Sequence, residues 1–232
     1  MSSRRRVILA TRNPGKLREL KAVLTETGIE LLGLDNVDPR RSIPEPAETG
    51  ATFAENARDK ARYYARATGL WALADDSGLV VDALAGRPGV HSARFAAERC
   101  PPGAPRAAID AANNEKLLDE LADVPDEARS ARFVCHLALC DGERILLEAT
   151  GAIEGRMGRQ PSGHNGFGYD PLFYIPQMGC TTAQLSNEQK NAISHRGKAL
   201  RRFARLLEQL LNHRGTEPAC RQAGTQRKTL DE

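Results

Sequence analysis

The sequence predicts an α/β protein built on a mixed β-sheet. Two patterns carry that prediction. In the first half, strand-like and helix-like stretches alternate, as they do in parallel βα units. In the middle, "ARFVCHLALC" and "ERILLEATG" flank Asp141-Gly142, a hairpin signal that demands an antiparallel pair. The chain has 232 residues, enough for one substantial domain or two small lobes.

The elements follow in chain order. Val7-Ile8-Leu9-Ala10 reads as a first strand. A helix follows it, with Asn13 as N-cap, Pro14 as first helical residue and an apolar stripe of Leu17, Leu20, Val23 and Leu24. Gly28 is its expected stop. Residues 31–34 read as a short second strand and 35–50 as a Pro-rich acidic loop. Thr52 and Glu55 form a capping-box signature for a helix running to about Thr68, with Phe53, Ala57, Ala61 and Tyr64 on one side and Gly69 at its end.

Residues 70–74 read as a buried strand and 79–84 as another, with Asp75-Asp76-Ser77-Gly78 between them. Residues 105–122 have a helical pattern. "GHNGFGYDPLFYIP" is a Gly-rich loop running into an aromatic strand. Ser186 with Gln189 opens another capped helix, and a last helix over about 195–212 buries Leu200, Phe203, Leu207 and Leu210. The stretch 212–232 has no periodicity and little hydrophobicity and reads as a disordered tail after a single domain, 1–211.

Composition narrows the function. Lys+Arg 33 against Asp+Glu 30 is too balanced for nucleic-acid binding through bulk charge. No apolar run approaches the roughly 20 residues of a membrane span, and the short run after the N-terminal arginines does not make a signal peptide. The cysteines (Cys100, Cys135, Cys140, Cys180, Cys220) form no CxxC pair. Neither a disulfide framework nor a zinc site is expected, and a reducing cytoplasm fits best.

Helix starts favour acidic residues because they carry partial positive charge. Here Arg12 precedes such a start and Lys16 lies within it. They are either solvated side chains beside an Asn cap or ligands of an anion held on the free N–H groups, joined by Thr11 and Asn13. The oddity recurs at the last helix. Ser194 reads as its N-cap, His195, Arg196 and Lys198 fall in its first turn, and Lys190 lies upstream. Two such starts point to a polyanionic ligand between them.

Asp75-Asp76 pairs two carboxylates that repel unless a cation or hydrogen bonds offset the cost. The segment is either an Asx turn or a Mg2+ site with one direct carboxylate ligand, for which Glu45 and Glu48 are candidate second carboxylates. In "GHNGFGYDP", Gly163, Gly166 and Gly168 allow close backbone approach, and Phe167 and Tyr169 offer faces for a base or for the core. His91 and Arg94 are within possible reach of a site, though a structural role suits them better, as it does His136.

Four separated motifs, "ATRNPGK", "DDSGLVVDALAGRPGVHSARF", "NGFGYDPLF" and "NAISHRGKAL", together resemble those of the non-canonical purine nucleoside triphosphate pyrophosphatases, the inosine/xanthosine triphosphate pyrophosphatase family. The similarity spans residues 7 to about 211. The resemblance implies an elongated two-lobed α/β fold around a long mixed sheet, with flanking helices, a central cleft and usually a homodimer. It implies Mg2+-dependent hydrolysis of ITP, dITP or XTP to the monophosphate and pyrophosphate. By motif, Thr11, Arg12, Asn13, Pro14, Gly15 and Lys16 would bind the triphosphate. Asp76 would be catalytic base and metal ligand, with Glu45 preferred as second ligand and Glu48 as fallback. Ser77 would contact substrate, Phe167, Gly168, Tyr169 and Asp170 would line the base pocket, and Lys190, His195 and Arg196 would complete the site. His164 departs from the usual spelling of the Gly-rich loop, and the tail after Leu211 has no counterpart.

Overall fold

The computed structural model describes residues 4–25 and 27–214. Seven strands form one mixed sheet in the order β2-β1-β3-β4-β5-β6-β7. Strand β1 (Arg6–Leu9) runs parallel to β2 (Glu30–Gly33) and to β3 (Trp71–Val81). From β3 onward every pairing is antiparallel, through β4 (Ser130–Cys140), β5 (Ile145–Met157), β6 (Phe173–Ile175) and β7 (Cys180–Thr181). The mixed α/β sheet read from the sequence is therefore present.

The largest departure from expectation lies in β3. Its predicted break at Asp75-Asp76-Ser77-Gly78 is absent. The segment is the middle of an 11-residue strand, registered against β4 from Ala72↔Cys140 to Val81↔Ala131. Asp, Ser and Gly are poor strand formers, but ladder pairing with the buried β4 overrides local preference, and the Asx turn does not form.

Helix α1 (Pro14–Leu24) starts as expected, with the Asn13 side chain accepting from the N–H groups of Gly15 and Lys16. It ends at Thr25, earlier than the expected Gly28 stop. A short helix α2 (Leu34–Val37) stands at the start of the predicted loop. Helix α3 (Phe53–Thr68) has the Thr52/Glu55 capping box and a left-handed Gly69 at its end. Helix α4 (Arg106–Glu120) precedes the hairpin, α5 (Asn187–Ile193) carries the Ser186/Gln189 capping box, and α6 is His195–Arg214. The last helix thus runs past the expected domain boundary at 211, while residues 215–232, most of the predicted tail, lie outside the described residues.

The sheet separates distinct cores. Helices α1 and α6 cover one face at the β1 end, where Leu20, Leu24, Leu200, Phe203 and Leu207 meet Leu73 and Leu137. Helix α3 covers the other face through Ala57, Ala61 and Tyr64. Beyond the middle of β3, a separate cluster gathers Leu79, Phe95, Leu117, Phe133 and Phe173. These are the two lobes implied by the resemblance. Among the described residues, no helix is long and apolar enough to cross a membrane.

Candidate active site

Between the lobes lies a cavity of about 400 Å³. The β1–α1 turn contributes Thr11, Arg12, Asn13 and Lys16, and β3 contributes Asp76 and Ser77. The acidic loop adds Glu45 and Glu48, the Gly-rich loop adds Phe167 to Asp170, and α5 and α6 add Lys190, His195 and Arg196. Of the residues singled out in the sequence, Pro14 and Gly15 do not line it. Pro14 starts the helix instead. Gly15 lies close to Phe167: a Cβ there would stand 2.9 Å from the ring, so the missing side chain lets the two motifs meet.

Strand alternation sends the adjacent carboxylates to opposite faces. Asp75 faces α6, where its Oδ2 accepts from Arg196 Nε (3.1 Å) and from the Cys135 thiol (3.0 Å) while Lys16 Nζ pairs with Oδ1. Burial opposes its charge, but Arg196 and Lys16 outweigh it and hold the carboxyl far below the usual range. Asp75 is 2% exposed and does not line this cavity. The repulsion expected from the Asp-Asp sequence is thus avoided by geometry and by Asp75's own cations.

Asp76 faces α3. Its Oδ2 accepts from Asn56 Nδ2 (3.0 Å). Asn56 in turn accepts from the Gly50 N–H (2.8 Å), so one buried amide ties the carboxylate to the acidic loop. Burial raises the Asp76 carboxyl above its ordinary range; Lys60 opposes the rise and the Glu48 charge adds to it. Glu48 is bridged by Lys60 and by Arg94, and despite partial burial Lys60 keeps it ionised. Glu45, the carboxylate preferred from the sequence, lines the same cavity, but the carboxylate whose charge bears most on Asp76 is Glu48.

The cations at the helix starts prove to be partnered. Arg12 Nη2 donates to Asp38 (3.0 Å), which binds the β1–α1 turn to the segment after α2. Arg196 is 2% exposed and reaches Asp75 through Nε, Glu19 through Nη1 and Ser77 Oγ through Nη2 (2.7 Å). Lys190 Nζ donates to Asp170 Oδ2 (2.6 Å) and lies 4.9 Å from the Phe167 ring centroid. Ser194 caps α6 by accepting from the Gly197 N–H (3.0 Å). A Cβ at Gly151 would collide with the backbone of His195 and Ala199, so glycine in β5 lets this helix start settle on the sheet.

His195 stacks on Phe133, with ring centroids 4.9 Å apart, and its buried Nδ1 has no partner. Burial, followed by Arg196 and Lys190, holds it neutral. Tyr169 differs from the stacking role offered by the sequence. It is buried in the second lobe and its hydroxyl donates to Ser92 O (2.9 Å), so Phe167 remains the aromatic available to a ligand. Asp170 is likewise turned inward, accepting from Phe167 N (2.7 Å), Thr182 Oγ1 (2.9 Å) and Lys190.

Sequence reading missed Lys60, Asn56 and Glu19, and it placed no function on α4. Asn56 and Lys60 lie one turn apart on α3, but their partners Asp76 and Glu48 are on other elements; the partners of Glu19 lie at the far end of the chain. Arg94, weighed as structural, lines the cavity, whereas His91 does not. His136 holds Thr150 and Glu148 on the α3 side of the sheet.

Comparison with known proteins agrees with the geometry. The sequence model of the Ham1 family matches residues 7–206. A dITP/XTP pyrophosphatase of Nitratidesulfovibrio vulgaris is 54% identical over 202 residues, covering 86% of this chain and 94% of the relative. One from Geobacter sulfurreducens is 50% identical over 195 residues, covering 84% and 92%. Among solved structures, a HAM1 protein from Coxiella burnetii superposes with a TM-score of 0.76 at 41% identity, covering 88% of this chain and 99% of that one. A nucleoside-triphosphatase / dITP/XTP pyrophosphatase from Mycobacterium abscessus gives 0.67 at 44% identity, covering 85% and 98%. With its four motifs gathered on one cavity and these relatives matching nearly their whole length, the chain belongs to the Ham1 family.

Proposed function

We propose that the protein hydrolyses the non-canonical purine nucleoside triphosphates ITP, dITP and XTP to the monophosphate and pyrophosphate with the aid of Mg2+. The observation that carries this reading is a cavity walled by cations around one buried carboxylate. Lys16, Lys60, Arg94, Lys190 and Arg196 line it, and Asp76 faces α3 beside Glu48. The named activity of the relatives supports the substrate class.

The residues fit the cation. Among the described residues no group of three or more His, Cys, Asp or Glu forms a protein-only metal cage. Mg2+ commonly takes only one or two protein carboxylates and completes its shell with water and substrate phosphates. Asp76 with Glu48 or Glu45 is such a set. Bound there, the ion would neutralise phosphate charge.

The chain's own groups account for the rest. Asn13 caps the start of α1 by taking the Gly15 and Lys16 N–H groups, which leaves the Lys16 ammonium on the cavity wall to meet the phosphate tail. Asp76, its proton affinity raised by burial, accepts the proton of the water that attacks the α-phosphorus. The bond from the α-phosphorus to the bridging oxygen breaks, and pyrophosphate leaves against the cations. The test is to incubate purified protein with ITP and measure products with Mg2+ and with chelator. Stoichiometric IMP and pyrophosphate, lost on chelation, are expected; release of inorganic phosphate and IDP would overturn the reading.

A further inference from the structure

Gly168 sits in the loop against the cavity with φ +63°, a left-handed conformation that suits glycine. Both of its backbone polar groups are held by α4. Its N–H donates to Asp110 Oδ2 (3.0 Å), and its C=O accepts from Asn114 Nδ2 (3.0 Å). The two side chains are one helical turn apart and so share a face. One turn earlier, Arg106 Nη2 lies 2.9 Å from Asp110 Oδ1 as an ion pair, and Arg106 itself reaches the cavity.

The clamp decides which loop groups can meet a ligand. Of the four N–H groups from residue 167 to 170, three are engaged: Phe167 with Asp170, Gly168 with Asp110, and Asp170 with Phe167 O. The remaining N–H belongs to Tyr169. It shares a peptide plane with the Gly168 C=O, and in a trans peptide the two point in opposite directions. Asn114 holds that C=O towards α4, so the Tyr169 N–H points away from α4. The Tyr169 hydroxyl bond to Ser92 fixes the far side of the same residue.

We propose that Asp110 and Asn114 are positioning residues for base selectivity: from outside the pocket they fix the 168–169 peptide so that one backbone donor faces a keto oxygen of the purine. This rests on the reading of the Phe167 side of the cavity as the base pocket. A donor fixed in orientation favours an acceptor edge and penalises an amino group placed against it, whereas a peptide free to rotate accepts either.

The experiment compares kcat/KM for ITP and ATP, which differ in the 6-keto and 6-amino groups, in the wild type and in Asp110→Leu, Asn114→Leu, Asn114→Asp and Asp110→Asn, with inhibition by inorganic tripolyphosphate as a measure of the phosphate end. Asp110→Leu and Asn114→Leu are expected to lower the ITP:ATP ratio about tenfold and to leave tripolyphosphate inhibition unchanged. Asp110→Asn keeps an acceptor for Gly168 and should retain the ratio. Asn114→Asp keeps the shape and loses the donor, so it should lower the ratio even if the leucine variants do not fold. Equal loss for ITP and ATP, or an unchanged ratio, overturns the proposal. A wild type with no preference for ITP would instead overturn the functional reading beneath it.

Discussion

Asp75 and Asp76 are sequence neighbours whose carboxylates serve opposite faces of one strand. Asp75 is locked between Arg196 and Lys16 towards α6, and Asp76 is held by Asn56 towards α3. The pleat of β3 therefore divides two tasks between adjacent residues. One carboxylate neutralises the cations that organise the helix starts; the other remains open to the cavity with its proton affinity raised.

Exchanging each for asparagine should separate the tasks. Asp76→Asn is expected to lower turnover at least ~100-fold. Its stability at neutral pH should hold or rise, because burial makes the charged form costly there. Asp75→Asn leaves Arg196 and Lys16 under-compensated in the interior, and breaking such a buried pair costs about 3–5 kcal/mol. Turnover and chemical denaturation of both variants check this. An active Asp76→Asn, or a fully stable Asp75→Asn, would refute the division.

Much of this was legible in the sequence because local signals agreed with the final packing. The Asn13 cap, the Thr52/Glu55 box and the hairpin at Asp141-Gly142 depend on neighbours within a few residues, and all are present. The site residues were found through motifs that each lie on one short segment. What escaped was set by partners distant in the chain. The continuity of β3 through Asp75-Asp76-Ser77-Gly78 is imposed by β4, some 60 residues on. The inward turn of Tyr169 depends on Ser92, and the Asp110–Gly168 bond joins residues 58 apart. No local pattern encodes such contacts, because a polar side chain's orientation is fixed only by what it meets.

His195 gives the protein a sensitivity to mild acid. Burial, with Arg196 and Lys190 acting in the same direction and Asp75 opposing, holds its folded form neutral. In the unfolded chain the imidazole takes a proton below about pH 6.5. The unfolded state then binds more protons, so stability is present above that pH and is lost as pH falls below it. Asp76, whose carboxyl is raised, acts with the opposite sign, since protonation relieves its burial. Comparing wild type with His195→Gln cancels that contribution. Urea denaturation at pH 8.0 and 5.5 should show a smaller decline for the variant, by about 1.4 kcal/mol in total. Parallel declines would mean that His195 is protonated in the folded protein.

The last prediction concerns base choice: ITP and XTP should be hydrolysed far faster than ATP, and faster than GTP. Stacking on Phe167 cannot produce that order, because every purine presents a π-face. Selection therefore falls to polar groups along the ring edge. Arg196 has five N–H donors and commits Nε, Nη1 and Nη2 once each, to Asp75, Glu19 and Ser77, which leaves two. His195 contributes a buried, unpartnered Nδ1, and being neutral it can present its other nitrogen as the donor. These groups suit an acceptor such as the 6-keto oxygen shared by hypoxanthine, xanthine and guanine. Adenine sets an amino group there, leaving donor against donor beside the buried Arg196 and His195, and mismatches of that kind separate substrates by ~100-fold or more. Guanine passes this check and must be refused at its 2-amino group, where xanthine carries oxygen and hypoxanthine only hydrogen. The expected order in kcat/KM at fixed Mg2+ is XTP and ITP, then GTP, then ATP. A GTP value equal to that of ITP would show that the 2-position goes unread, and the protein would then be a broader purine triphosphate pyrophosphatase.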